Sequence, residues 1–223
     1  MENPACALSG VSHSVPASAS VSSSDFAIFV DPLVRDYPGI RAVSWNARVT
    51  AAQRPTFEAE MRTNGDAGFA ISERNASNQL AAAAKRADYF PVTFIEPLAE
   101  NRRAVGYDVS SETLRNSAMQ VARDQGRATL TAPLALIQDK VQKTGMLLFY
   151  PVYTTEQPPT SLAERRHLLR GYVVAVLHIA DVIASATADY PADSFQLQVT
   201  DRSDGSDDQP QLVFSKLTTA IPA

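Results

Sequence analysis

The sequence predicts an α+β fold built on antiparallel sheets, and three observations carry that prediction. Strand-like apolar runs alternate with short amphipathic helices, but most of their connections are too short or too irregular for a βαβ series. The 223 residues are 45% hydrophobic and 20% charged, which suits a globular chain with one large core or two small ones. A polar loop containing Pro158 and Pro159 marks the predicted domain boundary.

The N-terminal segment, residues 1–37, is predicted to contain one short helix. Residues 1–24 are rich in Ser and Ala without a sustained helical period, so we expect a tail or the remnant of a longer helix. Asp25 can cap the helix that follows, and Pro38-Gly39 ends it. Its apolar face holds four residues: Phe26, Phe29, Val30 and Leu33.

Periodicity places the remaining elements in order. Alternating or continuous apolar runs predict nine strands, at residues 40–45, 68–72, 89–95, 106–109, 128–137, 145–153, 171–179, 195–199 and 211–214. Further helices are predicted at residues 56–62, 110–123 and 181–188. The middle one should bury Leu114, Ala118 and Val121, and residues 77–88 should form a long connection. The strand at 145–153 is apolar throughout, which is typical of a central strand.

Composition and motif content exclude several classes of function. A net charge of −4 and a pI of about 5.4 offer no attraction to nucleic acid or to an anionic membrane surface. The single Cys6 and three scattered histidines show no metal-ligand spacing, and the nine glycines form no phosphate-binding loop. No run approaches the roughly 20 apolar residues that span a bilayer. We therefore predict no nucleic-acid partner, no metal and no cofactor, for a chain that is either soluble or a piece of a membrane protein.

Asp108 is the acidic residue with the most interesting position, between a predicted strand and the helix that begins near Ser110. As a helix cap it would contribute a few tenths to about 1 kcal/mol. Facing an apolar pocket instead, an unpartnered carboxylate would cost several kcal/mol until a ligand donated hydrogen bonds to it. The residues alone leave both interpretations open.

Four blocks of the sequence resemble the CHASE domain, the extracellular sensor of plant cytokinin receptors and of many bacterial histidine kinases and diguanylate cyclases. The blocks are PGIRAVSWNARV (38–49), FIEPLAENRRAVGYDV (94–109), ARDQGRATLTAP (122–133) and GMLLFYPVY (145–153). Their order and spacing make the resemblance specific, and it runs from about residue 38 to residue 180.

The resemblance implies a long N-terminal helix followed by two PAS-like subdomains with antiparallel sheets. We predict a membrane-distal, ligand-binding subdomain at 38–157 and a membrane-proximal one at 158–223, after the N-terminal segment. It also implies the periplasmic or extracellular domain of an inner-membrane protein, embedded through segments outside this domain, with homodimerisation through the N-terminal helix.

The resemblance further implies a ligand site in the distal subdomain. The aspartate that contacts the ligand in cytokinin receptors falls on Asp108, and a small threonine of their last pocket strand is replaced by Phe149, which disfavours adenine-type cytokinins. The predicted ligand-binding residues are Phe94, Tyr107, Asp108, Thr131, Ala132, Leu134, Ile137, Leu147 and Phe149.

The predicted function is therefore the sensing of a small amphipathic ligand by a receptor domain that is not an enzyme. One alternative is a structural or dimerisation module whose pocket has collapsed around Phe149. The other is an enzyme that pairs Asp108 with Glu96 or Glu112.

Overall fold

A six-stranded antiparallel sheet is the centre of the fold. The computed structural model describes residues 22–64, 66–135, 144–155, 157–191, 196–201 and 211–216. The strands are β1 (Ile40–Ala47), β2 (Val49–Thr50), β3 (Ser72–Arg74), β4 (Leu80–Ala82), β5 (Asp88–Tyr89), β6 (Val92–Glu96), β7 (Thr129–Leu130), β8 (Leu134–Ala135), β9 (Thr144–Tyr153), β10 (Leu169–His178), β11 (Leu197–Asp201) and β12 (Gln211–Lys216). The α-helices are α1 (Ser23–Asp36), α2 (Arg54–Thr63), α3 (Leu98–Asn101), α4 (Thr113–Gln125), α5 (Leu162–Leu168) and α6 (Ile179–Ala186).

The strand order in the central sheet is β6-β1-β10-β9-β7, and β8 also pairs with β9. The two longest strands, β9 and β10, are antiparallel neighbours from Leu169 opposite Tyr153 to His178 opposite Gly145. Their apolar sequences suit strands covered on both faces. The continuous run at residues 145–153 was predicted to be central, and the structure confirms it.

Each face of the sheet is covered by one main helix. Helix α4 covers the first face, and the hydroxyls of Tyr172 and Tyr153 donate hydrogen bonds to its carbonyl oxygens, at 2.8 Å to Met119 and 2.7 Å to Arg123. Burial raises the pKa of both tyrosines, that of Tyr153 to about 12. Helix α1 covers the other face, with Phe26 and Val30 buried against the sheet.

The buried face of α4 differs from the one predicted. Ala118 is buried as predicted, but Leu114 and Val121 are 44% and 40% exposed. The full buried stripe of the helix is Arg115, Ala118, Met119 and Ala122. These four positions are spaced i, i+3, i+4 and i+7, so they form one stripe of the helix. The two small alanines allow close packing of the helix on the sheet, which explains why the stripe is rotated toward them.

A small lobe packs at one end of the sheet. It contains helix α2 and the strand pairs β2–β5 and β3–β4. Its core consists of Val49, Phe69, Ile71, Ala83 and Tyr89, with Phe57 and Met61 of α2 against them. The segment 77–88, predicted as a connection, contributes both β4 and the start of β5 to this lobe.

Several other elements lie close to their predictions. Helix α1 begins three residues earlier than expected, because the side chain of Ser22, not that of Asp25, caps it. The predicted strand 128–137 is reduced to the short strands β7 and β8 in its described part. Helix α5 was not predicted, although Ser161 and Glu164 form a capping box at its start. The predicted terminal hairpin is confirmed as β11–β12.

The predicted boundary at residue 158 is wrong, because it would cut the central sheet. Strand β10 lies after that boundary, yet it pairs with β1 on one side and with β9 on the other. The first structural unit therefore extends at least to His178. After it, the structure describes α6, which lies against β9, β10 and β12, and the β11–β12 hairpin.

The longest described α-helix, α1, has 14 residues. None of the helices in the described ranges combines the length and apolar character needed to cross a bilayer.

Candidate functional site

A small cavity lies in the apolar core between the sheet and α4. Its volume is about 30 Å³. The residues around it are Ser44, Val92, Ile95, Ala104, Tyr107, Val109, Arg115, Leu147, Val174 and Val176. A water molecule occupies about 30 Å³ of liquid and needs about 10–15 Å³ of space for its centre, so the cavity holds one or two waters or a group of similar size.

Asp108 lies beside this core, and its side chain is fully buried. One carboxylate oxygen, Oδ1, accepts hydrogen bonds from the amide of Phe90 at 2.9 Å and from the amide and hydroxyl of Ser110 at 3.1 and 2.7 Å. The other oxygen accepts one from Arg86 at 2.5 Å. Arg86 also pairs with Glu73, so one guanidinium joins two carboxylates.

The expectation that Asp108 waits unsatisfied for a ligand is therefore wrong. Both oxygens have partners, and the side chain caps the 3-10 turn Val109–Ser111. The capping interpretation is the one that the structure confirms, for this turn and not for α4, which Glu112 caps. For Arg86, burial lowers the pKa, but hydrogen bonds and charges from Glu73 and Asp108 outweigh burial and raise it overall. Glu73, Arg86 and Asp108 form a charged cluster, here called the charged latch, that links the small lobe to the turn Val109–Ser111.

Several other predicted site residues do come together on the α4 face. Tyr107, Leu147 and Phe149 belong to the same buried cluster, and Leu134 packs against it. Tyr107 and Leu147 line the cavity itself. Thr131 is buried at the edge of the sheet, where its hydroxyl accepts a hydrogen bond from the amide of Leu147 at 3.0 Å.

The remaining predicted residues lie elsewhere. Phe94 is on the opposite face of the sheet, with its ring 6.1 Å from that of Phe26 in α1, so its assignment to the wall of the same pocket is wrong. Successive side chains of a strand point to opposite faces of the sheet, and the neighbouring Ile95 lies on the α4 face. Phe94 therefore lies on the α1 face. Ala132 is half-buried beside Thr131, and Ile137 lies outside the described residues.

A larger groove of about 1000 Å³ lies on the α1 side of the sheet. Phe94 lines it together with Trp45, Phe57 and Arg102. Of the predicted site residues, the groove includes Phe94, whereas the smaller cavity includes Tyr107 and Leu147. The predicted site therefore corresponds better to the cavity under α4.

The sequence matches the family model of the CHASE domain over residues 19–214. The chain belongs to the CHASE domain family. CHASE domains are extracellular sensors of receptor kinases. In the central sheet of this one, β1 lies between β6 and β10.

Two known proteins show similarity to this CHASE domain. Hybrid signal transduction histidine kinase A of Dictyostelium discoideum is 25% identical over 154 residues, which are 66% of this chain and 7% of that protein. Among solved structures, the ligand-binding domain of the Pseudomonas aeruginosa amino acid chemoreceptor PctC, in complex with GABA, is 14% identical with a TM-score of 0.35. That alignment covers 88% of this chain and 65% of the other.

Two carboxylates proposed as catalytic partners of Asp108 serve the backbone of this CHASE domain. Glu96 accepts a hydrogen bond from the amide of Leu98 at 3.1 Å. Glu112 accepts two amide hydrogen bonds at the start of α4. Carboxylates in such positions stabilise helix N-termini, which is a structural role.

Sequence reasoning missed Arg115, which lies in the cavity wall of this CHASE domain. Its side chain is 6% exposed, and Nη1 donates a hydrogen bond to the hydroxyl of Tyr107 at 3.1 Å. A charged residue inside an amphipathic helix is normally assigned to the solvent side. The one available signal was its spacing from Ala118, Met119 and Ala122, which fits a helical stripe of small and flexible residues.

Proposed function

We propose that this CHASE domain is the extracytoplasmic sensor of a small amphipathic molecule in a transmembrane signalling receptor, with a histidine kinase or diguanylate cyclase as output, and that it is not itself an enzyme. The observation that carries the proposal is the cavity under α4. There, two predicted ligand contacts, Tyr107 and Leu147, meet the buried cation Arg115 inside an apolar core. Apolar walls with a few polar groups are characteristic of small-molecule sites.

Signal transfer needs a ligand that binds two arrangements of the domain with different affinity. A difference of about 1–3 kcal/mol is enough for physiological coupling. Strand β10 supplies Val174 and Val176 to the cavity and continues into α6, which contacts the β11–β12 hairpin. Movement of β10 on ligand binding would thus pass to the segment after His178, which we propose as the membrane-proximal subdomain.

Homodimerisation through the N-terminal helix also belongs to this proposal. Helix α1 buries Phe26 and Val30 against the sheet while Ile28, on another side of the helix, is 75% exposed. In the whole receptor, a second copy of the helix would cover that side. The full-length protein would be membrane-embedded, and this domain would lie in the periplasm or outside the cell.

One observation favours a second candidate, a structural or dimerisation module with a collapsed pocket. The cavity is small, and the Phe149 ring is fully buried at 5.8 Å from the Tyr172 ring, which fills the space beside it. A ligand larger than a few heavy atoms would have to displace side chains. Ligand screening separates the two candidates.

The experiment is a thermal-shift screen of a small-metabolite library against the wild-type domain and two valine variants. Val174→Ile adds one methylene next to the cavity, whereas Val173→Ile makes the same change on the opposite face of the same strand. Under the sensing proposal, some compounds raise the Tm of the wild type and of the Val173 variant but not of the Val174 variant.

Two outcomes contradict the sensing proposal in different ways. If no compound stabilises the wild type, the collapsed-module candidate is favoured. If a compound stabilises the Val174 variant as well as the wild type, its site is elsewhere, and Phe94→Ala then tests the groove on the α1 side. Asp108→Ala is a poor probe, because it breaks the latch with Arg86 whether or not a ligand binds.

A further inference from the structure

The groove of about 1000 Å³ on the α1 side of the sheet lies between two parts of the fold. Residues of β1, β6 and α1 line it, together with residues of α2 in the small lobe. Clefts between structural units are frequent places for small-molecule sites. Of the residues around this groove, only Ile95 also borders the cavity under α4, so the two spaces are separate.

Three aromatic rings from three different elements line this groove. Trp45 belongs to β1, Phe94 to β6 and Phe57 to α2. Phe57 and Phe94 are half-buried, so part of each ring is accessible from the groove. Aromatic rings attract one another in offset or edge-to-face arrangements. The groove is therefore suited to a ligand that contains a flat aromatic ring.

Trp45 also carries a hydrogen-bond donor that the protein does not use. The residue is only 7% exposed, yet its indole N–H donates to no acceptor among the described residues. The nitrogen is not sealed from the surface either. Because the N–H of a buried tryptophan usually finds a partner, an acceptor on a bound molecule would complete this site.

One guanidinium at the groove is unused in the same way. Arg48 is held by the carboxylate of Asp88, at 3.0 Å. Arg102, which follows α3, makes no ion pair and no side-chain hydrogen bond with any residue in the described ranges. The adjacent Arg103 is exposed too, but it does not line the groove. Arg102 can thus present its two-point fork to a planar anion.

Acidic side chains at the same groove limit where an anion can lie. The carboxylates of Asp66 and Glu96 each accept a backbone amide hydrogen bond, at 3.2 and 3.1 Å. Glu60 is exposed on α2, the helix that also supplies Phe57. A negatively charged group would be repelled by Glu60 and attracted to Arg102. These charges would orient a ligand as well as attract it.

We propose that this groove is a second ligand site, which takes an aromatic carboxylate. The ring lies among Trp45, Phe57 and Phe94, the carboxylate accepts hydrogen bonds from Arg102, and the indole N–H donates to an oxygen of the same ligand. This inference goes beyond the sensing of a molecule under α4 and does not depend on it.

The experiment uses the fluorescence of Trp45, which is the single tryptophan of the 223-residue chain and so reports on the groove directly. Phenylpropionate is titrated at pH 7 and constant ionic strength beside three matched compounds. Phenylpropionamide lacks the charge, phenylpropylamine reverses it, and cyclohexylpropionate lacks the aromatic ring. We expect phenylpropionate to change the emission saturably and to bind at least tenfold more tightly than the amide or the amine. Cyclohexylpropionate should bind several-fold more weakly.

Variants then test the residues. Arg102→Met should reduce the affinity for phenylpropionate to that for the amide, whereas Arg103→Met, the matched control, should bind like the wild type. Glu60→Gln should tighten binding of the acid several-fold, because it removes a like charge. Trp45→Phe removes the donor and should weaken binding, which calorimetry measures because the fluorophore is lost. The Tm without ligand shows whether each variant is folded, and the variants at exposed positions decide the matter if Trp45→Phe is unfolded.

Several results would overturn this assignment. Absence of saturable binding, or equal binding of the acid and the amide, removes the carboxylate class, and tighter binding of the amine reverses the sign of the charge. Unchanged binding by folded Arg102→Met, or an equal loss in Arg103→Met, shows that Arg102 does not hold the anion. Val174→Ile should bind like the wild type, because loss of binding there would locate the acid in the cavity under α4.

Discussion

Asp108→Asn tests the charged latch in the most direct way. The substitution keeps the volume of the side chain and removes its charge. In the wild type, the buried carboxylate accepts hydrogen bonds from the amide and hydroxyl of Ser110, the amide of Phe90 and the guanidinium of Arg86. The asparagine amide would present an N–H group to one of these donors, so at least one of them loses its acceptor.

The expected loss of stability follows from the burial of the two partners. A hydrogen bond to a charged group contributes about 1.5–3 kcal/mol, and breaking a buried ion pair by removing one partner costs about 3–5 kcal/mol. Arg86 is 28% exposed, so water partly screens the charge that Asp108→Asn leaves behind. We therefore expect a loss of about 2–4 kcal/mol, which for a domain of this length lowers the Tm by roughly 4–16 °C.

The assay is urea unfolding of the wild type, Asp108→Asn, Arg86→Met and the double variant. The two single losses should not add, and the coupling between the sites should be at least about 1 kcal/mol. Asp31→Asn, at a 72% exposed side chain of α1, is the control and should change stability by less than about 0.5 kcal/mol. Wild-type stability or better in Asp108→Asn would refute the latch and would again favour an unpartnered carboxylate, one of the two interpretations that the sequence left open.

Two further predictions concern packing and pH. Gly171→Ala should cost about 1–3 kcal/mol in urea unfolding, because the new methyl carbon would press on the Asn46 carbonyl oxygen and lie 2.7 Å from Cη2 of Trp45. The pKa of Asp124 lies well below its usual value because Arg166 and Arg123 donate hydrogen bonds to its charged form. A lowered carboxyl pKa stabilises the fold above the unfolded value, near 3.9, so Asp124→Asn should cost about 1 kcal/mol at pH 7 and progressively less as the pH falls below about 4.

The predictions for Gly171→Ala and Asp124→Asn each have a control that can contradict them. Gly68→Ala meets its nearest atom only at 3.7 Å and should be nearly neutral, so equal losses at both glycines would argue against the close approach of β1 to β10. For Asp124, a stability difference that stays constant between pH 7 and pH 2 would show that the carboxylate charge is not the cause. High salt should also reduce the difference at pH 7, because the pair is partly exposed.

Much of the fold could be predicted from local pattern. The continuous apolar runs of β9 and β10, the amphipathic face of α1 and the terminal hairpin each have a periodicity that survives in the structure. Four sequence blocks also indicated the CHASE family, which the family match confirms. These features depend on residues close together in the chain, which is why reading the sequence finds them.

The site was predicted less well, because its decisive contacts join distant residues. The guanidinium of Arg86 comes from a segment that looked like an irregular connection, and it reaches the Asp108 carboxylate 22 residues away. Hydrophobic periodicity cannot reveal a contact between residues so far apart in the chain. Likewise, β10 pairs with β1 across more than a hundred residues, so a proline-rich loop between two strands of one sheet looked like a domain boundary.

The amino-acid sequence by itself determined most of the element types, the central strand β9 and the family of this protein, because propensity and hydrophobic period act over a few residues. Only the tertiary structure decided that α4 turns Arg115 inward and leaves Leu114 and Val121 exposed. The physical reason is that two alanines let this stripe approach the sheet closely, while Tyr107 and Glu112 compensate the buried charge. Hydrophobicity alone would favour burial of the α4 face that carries Leu114 and Val121.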